Sequence, residues 1–177
     1  MNTAELLNFG SKILKHNKIV SYRLDSEVIL SNILNIPRES LLTKEYNVSE
    51  KKITKFKALI SRRSKSEPIA YIFKRKEFRS KDLFVDRKSL IPRPETELLI
   101  DPITKIFQNK NLFFLDVGIG TGCITFSILN ELKHSRGIGV DVSNKTLMNA
   151  KINLKKFNNR VKLLQKSIDD VRNIKFD

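Results

Sequence analysis

Residues 116–122, Asp-Val-Gly-Ile-Gly-Thr-Gly, hold the residue types and spacing in this sequence best suited to chemistry. Three glycines at alternate positions let a backbone turn sharply and pass close to a ligand. The run 112–115, Leu-Phe-Phe-Leu, is short and apolar, as a buried parallel strand requires. The segment 124–132 reads as a helix, which places the glycines at its positive N-terminal end. A second apolar run, Ile138-Gly139-Val140, leads into Asp141. An acid roughly twenty residues past such glycines typically holds a ribose hydroxyl in nucleotide-binding α/β sheets. A dinucleotide fingerprint would need glycine at position 123, where Cys123 stands.

The elements that must position this loop follow from periodicity. Leu6, Leu7, Ile13 and Leu14 mark a first helix, and Leu24, Val28, Ile29, Leu30, Ile33 and Leu34 a second that stops near Pro37. Ile53, Phe56, Leu59 and Ile60 mark a third, with Lys51, Lys52, Lys55, Lys57 and Arg62 on its wet side. Glu67-Pro68 breaks this pattern. Phe78, Leu83, Phe84, Val85, Leu90 and Ile91 suggest a hairpin, so the reading divides the chain into a helical domain (1–66), a β-hairpin linker (67–92) and an α/β domain (93–177). Glu95 and Glu97 suit the first turn of a helix running to about residue 107, with a kink at Pro102. From residue 112 the order is strand, helix, strand, helix (144–156) and a strand at 161–164, a βαβαβ unit with parallel strands in the order 3-2-1. The first of those strands is left at an edge.

Composition sets further bounds. The chain has 177 residues and a net charge of +15, and residues 51–81 hold twelve Lys or Arg against Glu67 and Glu77 alone. Such a patch attracts nucleic acid or ribonucleoprotein at long range, although lysine is also an ordinary solvated surface residue. No apolar stretch nears the ~20 residues of a membrane span, and Met1 to Glu5 lack a signal-peptide pattern. The single cysteine, Cys123, excludes an internal disulfide and suits a reducing cytoplasm; beside the glycines it reads as a packing residue. His16 and His134 have no partners at metal-ligand spacing and read as surface residues, and no metal site is expected.

The pattern Asp-x-Gly-x-Gly-x-Gly resembles motif I of the class I S-adenosylmethionine-dependent methyltransferases. Four further strings extend the likeness: Arg23-Leu24-Asp25-Ser26-Glu27, Glu67-Pro68-Ile69-Ala70-Tyr71-Ile72, Leu83-Phe84-Val85 after Phe78, and Leu90-Ile91-Pro92-Arg93-Pro94-Glu95-Thr96-Glu97. Together they are similar to the HemK-type family, the protein-(glutamine-N5) methyltransferases of peptide chain release factors. The resemblance implies a helical N-terminal domain that helps grip the release factor, followed by a Rossmann-like methyltransferase domain.

It also implies site roles. Gly118, Ile119, Gly120, Thr121 and Gly122 would line the methionine end of S-adenosylmethionine, Asp141 would accept the ribose hydroxyls, and Ile168 would pack on adenine. The family places a polar or acidic residue and then an aromatic ring near adenine, where Ser167 and Ile168 stand here, so stacking would be weaker. The family's catalytic Asn-Pro-Pro-Tyr, which orients the glutamine amide, follows its fourth strand and does not occur in these 177 residues. The expectation is therefore an N-terminal portion of a longer enzyme, with no catalytic residue of its own and a possible separately encoded C-terminal half. The competing readings are a silent release-factor adaptor and a nucleic-acid amino-methyltransferase of the same fold.

Overall fold

A computed structural model gives the arrangement of residues 1–172 and 174–177. The chain forms two compact units, Met1–Phe73 and Lys74–Asp177.

The first unit is all helical: α1 (Thr3–His16), α2 (Tyr22–Leu34), α3 (Arg38–Thr43), α4 (Glu50–Ser64) and α5 (Ile69–Phe73). A capping box starts α1: the Asn2 side chain accepts from the Glu5 N–H, and the Glu5 carboxylate accepts from the Asn2 N–H. The apolar stripes meet in one core, with Leu6, Leu14, Ile29, Leu30, Phe56 and Ile60 fully buried. The Arg-Leu-Asp-Ser-Glu string has a structural role here. Asp25 is buried, takes a 2.7 Å bond from Arg63 Nε and accepts the Ser21 hydroxyl, which ties α2 to α4. His16 is exposed in the last turn of α1.

The second unit opens with the antiparallel hairpin β1 (Arg75–Phe78) and β2 (Lys81–Phe84). Where the sequence suggested a separate 67–92 linker, α5 lies in the helical unit and the hairpin within the α/β unit. A 3-10 helix over Pro94–Leu99 precedes α6 (Ile100–Phe107). The kink expected at Pro102 is thus a change of helix type that comes before it. Pro102 sits in the first turn of α6, where a missing N–H costs nothing.

Three parallel strands follow: β3 (Phe113–Val117), β4 (Arg136–Asp141) and β5 (Val161–Gln165), in the order β3-β4-β5. They alternate with α7 (Cys123–Glu131) and α8 (Asn144–Asn153), and α8 gives way to a 3-10 turn at Lys155–Phe157 before the expected end at 156. At the outer edge of β3, Asp177 N–H donates to the Phe113 carbonyl, the Phe113 N–H donates to Asp177 Oδ2, and Phe176 packs on the Phe113 ring. Arg160 closes the C-terminal end of α7, donating to the carbonyls of Leu129, Leu132, Lys133 and Ser135. His134 is exposed in the same turn. Among the described residues no helix is long and apolar enough to cross a membrane, and no cluster of His, Cys, Asp or Glu could hold a metal ion.

Candidate functional site

The candidate site lies where β3, β4 and β5 end, the position at which open parallel sheets bind ligands. Gly118, Gly120 and Gly122 all have φ between +60° and +78°, a region that side-chain-bearing residues rarely adopt. These three residues turn the chain from β3 into α7, whose N-cap is Gly122. The Ile119 N–H donates to the Val140 carbonyl, and the Gly122 N–H returns to the Ile119 carbonyl, so the loop is pinned to the end of β4.

Asp141 joins the two strand ends. One carboxylate oxygen accepts the Gly120 N–H at 3.3 Å and the other the Ser143 N–H at 2.9 Å. A carboxylate has about four lone-pair positions, so acceptor capacity remains for a ligand hydroxyl. The structure thus brings Asp141 and the glycine loop together. The side chains of Ile119 and Thr121 turn inward, at 4% and 2% exposure, so these two residues can offer a ligand only their backbone. Ile119 fills the space above Gly139, where a Cβ would stand 2.1 Å from Ile119 Cδ1; Phe114 covers Gly137 in the same way. The sequence reading missed this pairing, although two glycines at alternate positions in one strand signal close approach from one face.

Ile168 follows β5 in a 3-10 turn capped by Ser167, and it is 47% exposed. Val142, next to Asp141, is 72% exposed. The Lys166 N–H donates to the Asp141 carbonyl, and Gln165 Nε2 to the Val142 carbonyl, so the ends of β4 and β5 are fastened side by side. Val142 and Ile168 therefore offer apolar surface on the same rim as the Asp141 carboxylate. Val142 was missed; an apolar residue directly after the acid was the available signal.

Two groups beside the loop have shifted titration. Burial pushes the Asp116 carboxyl above its ordinary range, against the lowering effect of the Thr125 hydroxyl, which donates at 2.6 Å, and of the Thr125 N–H. Burial also pushes the Cys123 thiol up, which keeps it protonated and packed against the core.

Helix α8 supplies a polar face that the sequence reading did not assign. Thr146 donates to the Lys88 carbonyl, Asn149 to Asp86 and Ser89, and Asn153 to the carbonyls of Phe84 and Thr121. The segment after the hairpin is thereby held along the helix. Burial raises the Asp86 pKa, but the Asn149 amide, the Lys88 N–H and the charges of Lys88 and Lys74 outweigh it and hold the carboxyl below its ordinary range. The basic 51–81 stretch is divided between the units. Lys51, Lys52, Lys55 and Lys57 lie exposed along α4, whereas Arg75, Lys76, Arg79 and Lys81 belong to the hairpin.

Residues 5–73 match the family described as PrmC N-terminal domain, and residues 94–176 match the MraW methylase family. The release factor glutamine methyltransferase of Buchnera aphidicola subsp. Schizaphis graminum is 39% identical, over 89% of this chain and 57% of that protein. The protein of the same name in Aliivibrio fischeri is 40% identical, over 76% of this chain and 48% of its own length. A bifunctional methyltransferase of Rickettsia typhi is 32% identical, over 98% of this chain and 38% of that protein. The chain spans about half the length of these curated relatives.

Proposed function

The chain belongs to the release factor glutamine methyltransferase family, and from that premise we propose that its protein methylates the side-chain amide of the glutamine in the Gly-Gly-Gln loop of a peptide chain release factor. S-adenosylmethionine is the methyl donor for this family and fold. The observation that carries the reading is the junction of Gly120 and Asp141 at the ends of β3 and β4.

The residues present fit that cofactor. The positive N-terminal end of α7 favours the carboxylate of its methionine end. Asp141 has acceptor sites free for a ribose diol. Val142 and Ile168 provide flat apolar contact for a purine, with no aromatic ring to stack against it. The bound cofactor supplies an electrophilic methyl group on sulfur. What this chain contributes is placement of the cofactor, and so of that methyl group, which matters because an amide nitrogen is a weak nucleophile and alignment of the two reactants lowers much of the barrier.

Calorimetric titration with S-adenosylmethionine tests the reading. Asp141→Ala removes an acceptor that the ligand hydroxyls need and should weaken binding by ~1.5–3 kcal/mol, the usual worth of a hydrogen bond to a charged group. Equal affinity in the two proteins would take Asp141 out of the site. Substrate choice is checked by methyl transfer from labelled cofactor to a release factor whose glutamine is intact or replaced by alanine; label on the alanine form would refute glutamine as the acceptor.

The reading places the protein in the cytoplasm, close to terminating ribosomes, and gives the exposed lysines of α4 a partner in RNA. Four such contacts to single-stranded RNA predict a log–log salt slope of about −3. A flat response would leave them as solubilising residues.

A further inference from the structure

Asn153, at the end of α8, bonds through its carboxamide to backbone groups of two separate segments. Its Oδ1 accepts the Phe84 N–H at 2.7 Å, and its Nδ2 donates to the Phe84 carbonyl at 2.9 Å and to the Thr121 carbonyl at 2.9 Å. Both N–H bonds and the carbonyl of the amide are therefore in use, and the Phe84 peptide, with one donor and one acceptor, fixes which way round the amide sits. Thr121 lies between Gly120, which meets Asp141, and Gly122, which caps α7. The same helix supports the loop a second time: a Cβ on Gly122 would stand 3.0 Å from Leu154 Cδ1 and 3.6 Å from Ala150 Cβ.

We propose that Asn153 is a positioning residue for the cofactor: it sets the Thr121 peptide, and with it the glycine loop, and makes cofactor affinity depend on where the β1–β2 hairpin sits. A loop whose three glycines all have positive φ has a broad choice of backbone conformations, so an external bond at its centre selects among them. The hairpin enters through the Phe84 peptide, because one amide holds both segments. The inference rests on the reading of this loop as the S-adenosylmethionine site.

The test uses the full 177-residue chain as wild type, Asn153→Leu, Asn153→Asp and Asn149→Ala. The last removes two bonds from the same helix, to Asp86 and to Ser89, neither of them to the loop. All are compared by thermal melting, calorimetric titration with S-adenosylmethionine, and amide hydrogen exchange. Both Asn153 variants should bind the cofactor at least about tenfold more weakly at a temperature where they are folded, with Asp the worse because it presents a carboxylate to two carbonyls. Asn149→Ala should lower the melting temperature and leave affinity within about twofold. Wild-type affinity in folded Asn153→Asp, or equal weakening in Asn149→Ala, would overturn the proposal. Hydrogen exchange at Gly122 needs no cofactor: its N–H should lose protection in Asn153→Leu and keep it in Asn149→Ala, and unchanged protection in Asn153→Leu would equally overturn it. A wild-type chain that fails to bind S-adenosylmethionine, while its Gly122 protection still depends on Asn153, would refute the cofactor reading and leave the positioning role standing.

Discussion

Gly139 offers a quantitative check on how the glycine loop is seated. In Gly139→Ala the new methyl would lie 2.1 Å from Ile119 Cδ1, 3.2 Å from Ile119 Cγ1 and 3.1 Å from Leu163 Cδ2. Carbon atoms pack best at about 3.5–4.0 Å, so Ile119 Cδ1 must retreat by roughly 1.5 Å. Ile119 is almost fully buried. It can leave its rotamer, at about 0.5–1.5 kcal/mol, or push the loop outward. Overpacking of this kind costs about 1–3 kcal/mol. The Gly139 backbone is not left-handed, so alanine returns about 0.4–1 kcal/mol by restricting the unfolded chain. The net expectation is a loss of about 1–2 kcal/mol.

Ile119→Val deletes the clashing Cδ1 and alone costs about 0.5–1.5 kcal/mol. If the clash is the cause, the double variant should be no less stable than Ile119→Val, a coupling of about 1–2 kcal/mol toward stability. Urea unfolding of the four proteins measures the cycle, and cofactor titration follows the loop in parallel. Single costs that simply add would show that alanine at 139 displaces something other than Ile119.

Other substitutions test the electrostatics. Asp116 has its carboxyl pKa raised in the folded state, so its ionised form opposes folding at neutral pH, and this opposition fades as pH falls toward the unfolded value near ~3.9. Asp116→Asn keeps an acceptor for the Thr125 hydroxyl and should raise the urea midpoint at pH 7 with a gain that closes by about pH 4; a lower midpoint at pH 7 would refute it. Asp86 behaves oppositely: its depressed pKa contributes stability above the unfolded value that is lost as pH falls through the folded one. Asp86→Ala should therefore be less stable than wild type at pH 7 and converge with it below about pH 4, and a gap that persists in acid would exclude the charge as its source. In the helical unit, Arg63→Ala leaves the buried Asp25 carboxylate with only the Ser21 hydroxyl among the bonds described above, and should cost on the order of 3 kcal/mol in thermal or urea melting.

The parts legible in the sequence are those set by local pattern. Apolar spacing placed α1, α2 and α4, and the glycine spacing, the apolar runs and Asp141 placed the βαβαβ unit and the loop that joins its first strand to its first helix. The six-residue α3 is too short to show a period, and it begins at Arg38, directly after the proline read as a stop. Pro102 read as a kink because an isolated proline gives no hint that α6 starts only two residues earlier. The polar face of α8 could not be assigned from local pattern, because its partners, Phe84 to Ser89, lie about sixty residues away along the chain. A buried asparagine and an exposed one look alike until the backbone groups it satisfies are known.

Arg160 places a fixed positive charge against the carbonyl end of α7, while the opposite end of that helix faces the glycine loop. Nine residues of helix span about 13 Å. The pull of a helix end on a charge falls off within the first or last turn. The two ends of α7 are thus electrically separate: the guanidinium contributes to how firmly the helix is held, and the loop sets what it attracts. With the loop as the proposed cofactor site, selection can retune affinity at one end of this helix without renegotiating stability at the other.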